Sequence, residues 1–64
     1  MRYFDVDRAL RAVGFKLTRT NGSHCFYVNV KTGKKATVPN HGTKDIATGT
    51  LKNIERQAGI TLTK

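Results

Sequence analysis

The sequence predicts an α+β fold of order α-β-β-β-α, with two helices on one face of a three-stranded antiparallel sheet. Three observations carry that expectation. An apolar stripe at helical spacing lies near the start of the chain, and a second lies near its end. Between them run short segments of alternating character, broken by glycine-containing turns. At 64 residues the chain is expected to form one domain over 1–64. A domain of this size buries only about 60% of the surface its unfolded chain exposes, so any active site must be shallow and built from few groups.

The first helix is expected over 5–13, where Val6, Ala9, Leu10 and Val13 share one face. Asp5 and Asp7 suit the positive end of the helix dipole, and Gly14 suits the position just past its end. Arg8 and Arg11 then point away from the core. Residues 15–20 alternate apolar and polar and read as a strand. Asn21-Gly22 is a strong two-residue hairpin signal. Residues 23–30, rich in aromatic and β-branched side chains, form the second strand, and Lys31-Thr32-Gly33 marks the next turn. A short third strand over 34–38 ends at Pro39. After a polar loop over 40–47, Thr48 or Thr50 can cap a second helix running to Ala58, with Leu51, Ile54 and Ala58 inward and Gly59 as its stop. Ile60 and Leu62 are expected to tuck the tail against the sheet. The sequence contains no repeat, linker or low-complexity segment.

A two-residue loop at Asn21-Gly22 pairs Thr20 with Ser23, Arg19 with His24, Leu17 with Phe26 and Phe15 with Val28. Large apolar residues then meet on one face, which makes this register self-consistent. It also places His24 on the face the helices cover, near the hairpin end, and Tyr27 on the opposite face. Ala36 and Val38 supply the matching face of the third strand.

Composition narrows the function classes. Twelve Lys and Arg stand against four Asp and Glu, a net charge of +8. That balance favours anionic partners, nucleic acid first, then an acidic protein or a membrane surface. Lysines 31, 34 and 35 crowd one turn, and Lys44, Lys52 and Arg56 lie on the loop and second helix; all six are candidate phosphate contacts without base readout. Cys25 is the single cysteine, which leaves no internal disulfide framework and no cysteine-based zinc site. Two histidines and four scattered carboxylates show no ligand spacing, so no metal or other cofactor is expected. No apolar run approaches the ~20 residues of a membrane span, and no signal peptide is visible; the expectation is a soluble, cytoplasmic protein without a membrane partner.

His24 is the candidate for chemistry, because imidazole changes charge near neutral pH. Two readings stand: a structural histidine at the core margin, and a general acid/base acting on RNA. In the second, His24 takes the proton from a ribose 2′-OH or delivers one to the leaving 5′-oxygen, without a metal. Arg19, its expected cross-strand neighbour, would stabilise the crowded phosphate. His41 is the only other histidine and the candidate for a second acid/base group. Ser23 adjoins His24, but neighbouring strand residues diverge and no Asp is placed to orient a nucleophilic pair. Tyr27, on the face opposite Phe26, could stack on a base, with a partner-interface or packing role as the equal alternative.

The order Gly14-Phe15, Gly22-Ser23-His24, Thr37-Val38-Pro39-Asn40-His41-Gly42, Gly49-Thr50-Leu51 and Gln57-Ala58-Gly59-Ile60, behind a first helix, resembles the HicA family of toxins. Gly-Ser-His alone is a weak pattern; the segments together at these spacings are specific and span nearly the whole chain. The resemblance implies a double-stranded-RNA-binding-domain-like fold and a metal-independent mRNA endonuclease. It also implies a cognate HicB antitoxin, acidic and partly RNase H-like, that covers the active surface. The family's catalytic histidine matches His24. Many relatives carry a second His where this chain has Cys25, and His41 matches a histidine common in the Val-Pro-x-His stretch. A non-catalytic duplex-RNA-binding module and an acidic-partner-binding protein are the alternatives.

Overall fold

The structure, a computed structural model, describes residues 1–62; the last two positions of the expected 1–64 domain lie outside the described residues. The order is α1 (Tyr3–Ala12), β1 (Phe15–Asn21), β2 (His24–Asn29), β3 (Lys35–Pro39) and α2 (Thr48–Ala58). The strands form one antiparallel sheet in the order β1-β2-β3, so the expected α-β-β-β-α architecture holds.

Helix α1 begins two residues before the expected start, because Tyr3 belongs to the buried stripe with Val6 and Leu10. The Asp5 carboxylate accepts the Arg2 N–H at 2.9 Å, satisfying one donor of the first turn. The helix stops at Gly14, whose φ of +104° a side chain would resist. A Cβ there would also press to 3.3 Å from Asn29 Oδ1. Asn29 is the buried polar residue that organises this end of the fold. Its Nδ2 donates to the Val13 carbonyl at 3.0 Å, and its Oδ1 accepts the N–H groups of Lys31 (2.8 Å) and Thr32 (3.2 Å). One amide thus ties the end of α1 to the β2–β3 turn.

Helix α2 departs from expectation at its start. Thr48 is its first residue, Thr50 lies inside it, and Ala47 precedes it with no side-chain cap. The entry is set by tertiary contacts instead: Ile46 is buried, and its N–H donates to the Met1 carbonyl at 2.7 Å. Leu51, Ile54 and Ala58 face inward, and Gly59 ends the helix at φ +70°. Ile60 and Leu62 pack partly buried against the core.

The sheet register overturns the sequence expectation. Asn21 remains in β1 and pairs with His24, so the two loop residues are Gly22 and Ser23. Gly22 has φ +63° and Ser23 is not left-handed, the II′ pattern rather than the I′ turn that Asn-Gly suggests. Moving the turn by one residue shifts each pairing by two positions, which sets Arg19 opposite Phe26 but by itself keeps the parity of the faces. Cys25 and Tyr27 face the helices and are buried, while His24 is exposed on the other side. A bulge between Leu17 and Arg19 then inserts Thr18 as an extra residue in β1. This extra residue exchanges the faces: it puts Leu17 and Phe15 on the covered face with Tyr27 and Asn29 opposite, while Arg19 stays on the open one. Arg19 accordingly pairs with Phe26, not His24.

Tyr27 is fully buried at the centre of the core, which excludes the stacking role and bears out the packing alternative. Its hydroxyl donates to Asp7 Oδ1 at 2.5 Å and lies 2.5 Å from the Tyr3 hydroxyl. Asp7 also accepts from Arg11 Nε at 2.9 Å. Burial first, then the hydrogen bonds to Asp7 and Tyr3, push the Tyr27 phenol well above its ordinary range. Polar groups that enter this core are therefore paired, as burial demands.

Candidate nucleic-acid interface and active site

Opposed residues of an antiparallel sheet project to the same side, so the pairing defines the open face in three rows. Lys16, Val28 and Lys35 form the first, Arg19, Phe26 and Thr37 the second, and Asn21, His24 and Pro39 the third. No helix covers this side; the core residues of both helices pack against Cys25, Tyr27, Ala36 and Val38 on the other. Phe26, Val28, Thr37 and Pro39 are half-buried by their neighbours, and the row ends on β1 are exposed.

His24 begins the central strand and lines a groove of about 410 Å³ between β3, α2 and the loop after β3. His41, from that loop, lines the same groove, as do Thr50, Asn53 and Gln57 of α2. The loop is held by backbone geometry. The Asn40 N–H donates to the Ser23 carbonyl at 2.6 Å, tying the loop to the turn before His24. Asn40 Oδ1 accepts the Gly42 N–H at 3.0 Å, closing a local turn around His41. Ser23 contributes to the site through this carbonyl. The outward N–H of Thr37 is satisfied by Gln57 Oε1 at 2.9 Å, which fixes α2 against the edge of β3. Two residues on, the outward position is Pro39, which has no N–H to satisfy.

Residues 4–60 match the family described as the HicA toxin of bacterial toxin-antitoxin systems. The chain belongs to the HicA toxin family. It is also similar to a protein named "Probable mRNA interferase HicA" from Pseudomonas fluorescens (strain Pf0-1), 37% identical over 60 residues. That alignment covers 94% of this chain and 97% of the relative.

Within this HicA fold the expected cations separate into groups. Lys31 and Lys34 lie in the turn after β2, at the far end from His24, about 17 Å along the strand by its rise per residue. Lys34 also has a structural place, because a Cβ on Gly59 would collide with its ammonium end. It therefore sits at the C-terminal end of α2, where the dipole favours a cation. Lys35 and Arg19 are on the open face. Lys44 shares the loop of His41, its N–H donating to the His41 carbonyl at 3.4 Å. Lys52 and Arg56 are exposed on α2 beside the groove residues Asn53 and Gln57.

The sequence reading missed Lys16, Phe26, Asn53 and Gln57. Phe26 was hidden by the bulge at Thr18, which takes it off the face of Phe15 and Leu17, whereas Lys16 already stood on the open face of the expected strand. Asn53 and Gln57 stand four apart on a helix, a spacing that puts them on one face. Among the described residues, no group of three or more His, Cys, Asp and Glu could hold a metal ion. No helix among them is long and apolar enough to cross a membrane.

Proposed function

We propose that this HicA-family chain is the toxin of a toxin–antitoxin pair and an endoribonuclease that cleaves mRNA with His24 as general acid/base. The observation that carries the reading is that His24 and His41, 17 positions apart in the sequence, line one open groove beside a basic sheet face. The name of the Pseudomonas relative supports the reaction class.

One imidazole removes the 2′-OH proton, and the freed oxygen attacks the adjacent phosphorus. The P–O5′ bond breaks as the second imidazole protonates the leaving 5′-oxygen, leaving a 2′,3′-cyclic phosphate. We assign His24 to this pair, with His41 as its complement, and no metal is required for the proton transfers. Lys35, Lys44, Lys52, Arg56 and Arg19 attract the backbone and stabilise its charge. The partner is a cognate HicB antitoxin, acidic and partly RNase H-like, that covers the groove.

The test is cleavage of single-stranded RNA in EDTA. The wild type should cut it and leave an all-deoxy analogue intact. His24→Ala should lower the rate by about 10²- to 10⁴-fold. Because His24 is exposed, its unfolding free energy should stay within about 0.5 kcal/mol of the parent. A folded His24→Ala protein that still cuts would overturn the role of His24, and a wild type that binds RNA without cutting it would leave the non-catalytic RNA-binding reading.

A further inference from the structure

We propose that the open sheet face next to His24 is a base-stacking subsite for single-stranded RNA, its platform being the Arg19 guanidinium layered on the Phe26 ring. The subsite deepens the ribonuclease reading of the neighbouring groove and rests on it for its role in cleavage.

The Arg19 guanidinium carbon lies 4.7 Å from the Phe26 ring centroid. A flat cation on an aromatic face presents its own outer plane to solvent, and such planes are what splayed-out bases stack on. Phe26 has no partner from either helix on this side; its opposed neighbours are Arg19 and Thr37. A shallow groove of about 280 Å³ opens here, lined by Thr18, Arg19, Phe26, Val28, Lys35 and Thr37. Thr37 also lines the His24 groove, so the two depressions are continuous across one residue.

The distances suit one nucleotide. Phe26 and His24 lie two residues apart on one strand and one face, about 6.6 Å by the rise of an extended chain. A base on the platform therefore places its own sugar and phosphate towards His24. Lys16 and Lys35, flanking Val28 in the next row, are set to hold the phosphates further along. The bulge and the turn supply the local cause. The Thr18 bulge takes Arg19 off the face of Phe15 and Leu17, and the turn at Gly22-Ser23 sets it opposite Phe26.

Such a platform selects unpaired RNA, because bases inside a duplex offer no free face. It tolerates base identity, because every base has a π face.

The experiment uses His24→Ala protein, which holds the RNA uncut, and a single-stranded oligonucleotide carrying 2-aminopurine. Binding should quench the fluorophore. Phe26→Ala and Arg19→Ala should each weaken binding about 5- to 150-fold, the range that one stacked base supplies. Phe26→Trp should preserve it. Phe26→Leu, which keeps apolar bulk without a π face, should fold normally and bind as Phe26→Ala does. Arg19→Lys, which keeps the charge without the plane, should not restore affinity. Unchanged affinity in Phe26→Leu and Arg19→Ala would overturn the proposal, as would full rescue by Arg19→Lys or equal binding of a duplex of the same sequence. Cleavage by protein with His24 intact is followed in parallel. Quenching without cleavage would sink the acid–base reading and leave the platform standing; cleavage insensitive to Phe26→Leu would do the reverse.

Discussion

The two faces of this one sheet are built from the same three strands and have opposite chemistry. On the covered face, Phe15, Tyr27, Cys25, Ala36 and Val38 are almost inaccessible, and the polar groups that enter are paired. On the open face, cations surround a single aromatic ring and an exposed imidazole. The covered face holds the fold, because apolar area removed from water is its main stabilising term. The open face contributes little to stability and is left to carry charge and hydrogen-bonding groups. A small domain with one sheet can divide labour this way without enclosing a cavity.

The contrast is most sharply broken by exchanging like for like across the sheet. Phe15→Ala should cost about 3–5 kcal/mol, a large part of the stability of so small a domain. Phe26→Ala should cost about 1 kcal/mol or less. Urea denaturation of both variants checks this, and similar losses would mean the open face also holds the core. Deleting Thr18 comes next. Without the bulge residue, Arg19 and Phe15 must again share a face, so either a cation is buried or the Phe15 ring is exposed. Exposing Phe15 alone should cost about 1.5–3 kcal/mol. A deletion that leaves the denaturation midpoint unchanged would show that β1 tolerates either parity.

The smallest effect is a pH dependence belonging to the covered face. The folded protein holds the Tyr27 proton, because burial and then the Asp7 hydrogen bond raise its phenol above the ordinary 10.0. The unfolded chain releases that proton from about pH 10. Stability from this group is therefore complete below pH 10 and falls as the pH rises further, by about 1.4 kcal/mol per unit. Thermal melts from pH 8 to 11 should show the decline, and Tyr27→Phe should flatten it. A decline equally steep in that variant would assign it to other groups.

Several elements were legible in the sequence. The stripes of Val6 and Leu10, and of Leu51, Ile54 and Ala58, located both helices, since burial at helical spacing leaves a pattern no other element explains. Gly14 and Gly59 marked the helix ends through their left-handed backbone. The meander was visible in its turns. The faces of β2 were not, because the single extra residue at Thr18 reverses the parity with which β1 and β2 meet, and a bulge leaves no compositional trace. Asn21-Gly22 and Gly22-Ser23 are both acceptable hairpin loops, and choosing the first put Arg19 opposite His24 when it stands opposite Phe26. The candidate site was half legible: Gly22-Ser23-His24 and Asn40-His41-Gly42 stood out as motifs, but not the groove that both histidines line.

The amino-acid sequence by itself determined the element order, the basic character and the HicA likeness, because helical stripes, turn residues and charge are local properties of the chain. Only the tertiary structure decided which side of the sheet is buried. That choice depends on fitting Tyr27 and Phe15 under two helices at once, which the II′ turn and the Thr18 bulge allow together. The same fit turned His24 outward, laid Arg19 on Phe26, and brought His41 into the groove of His24.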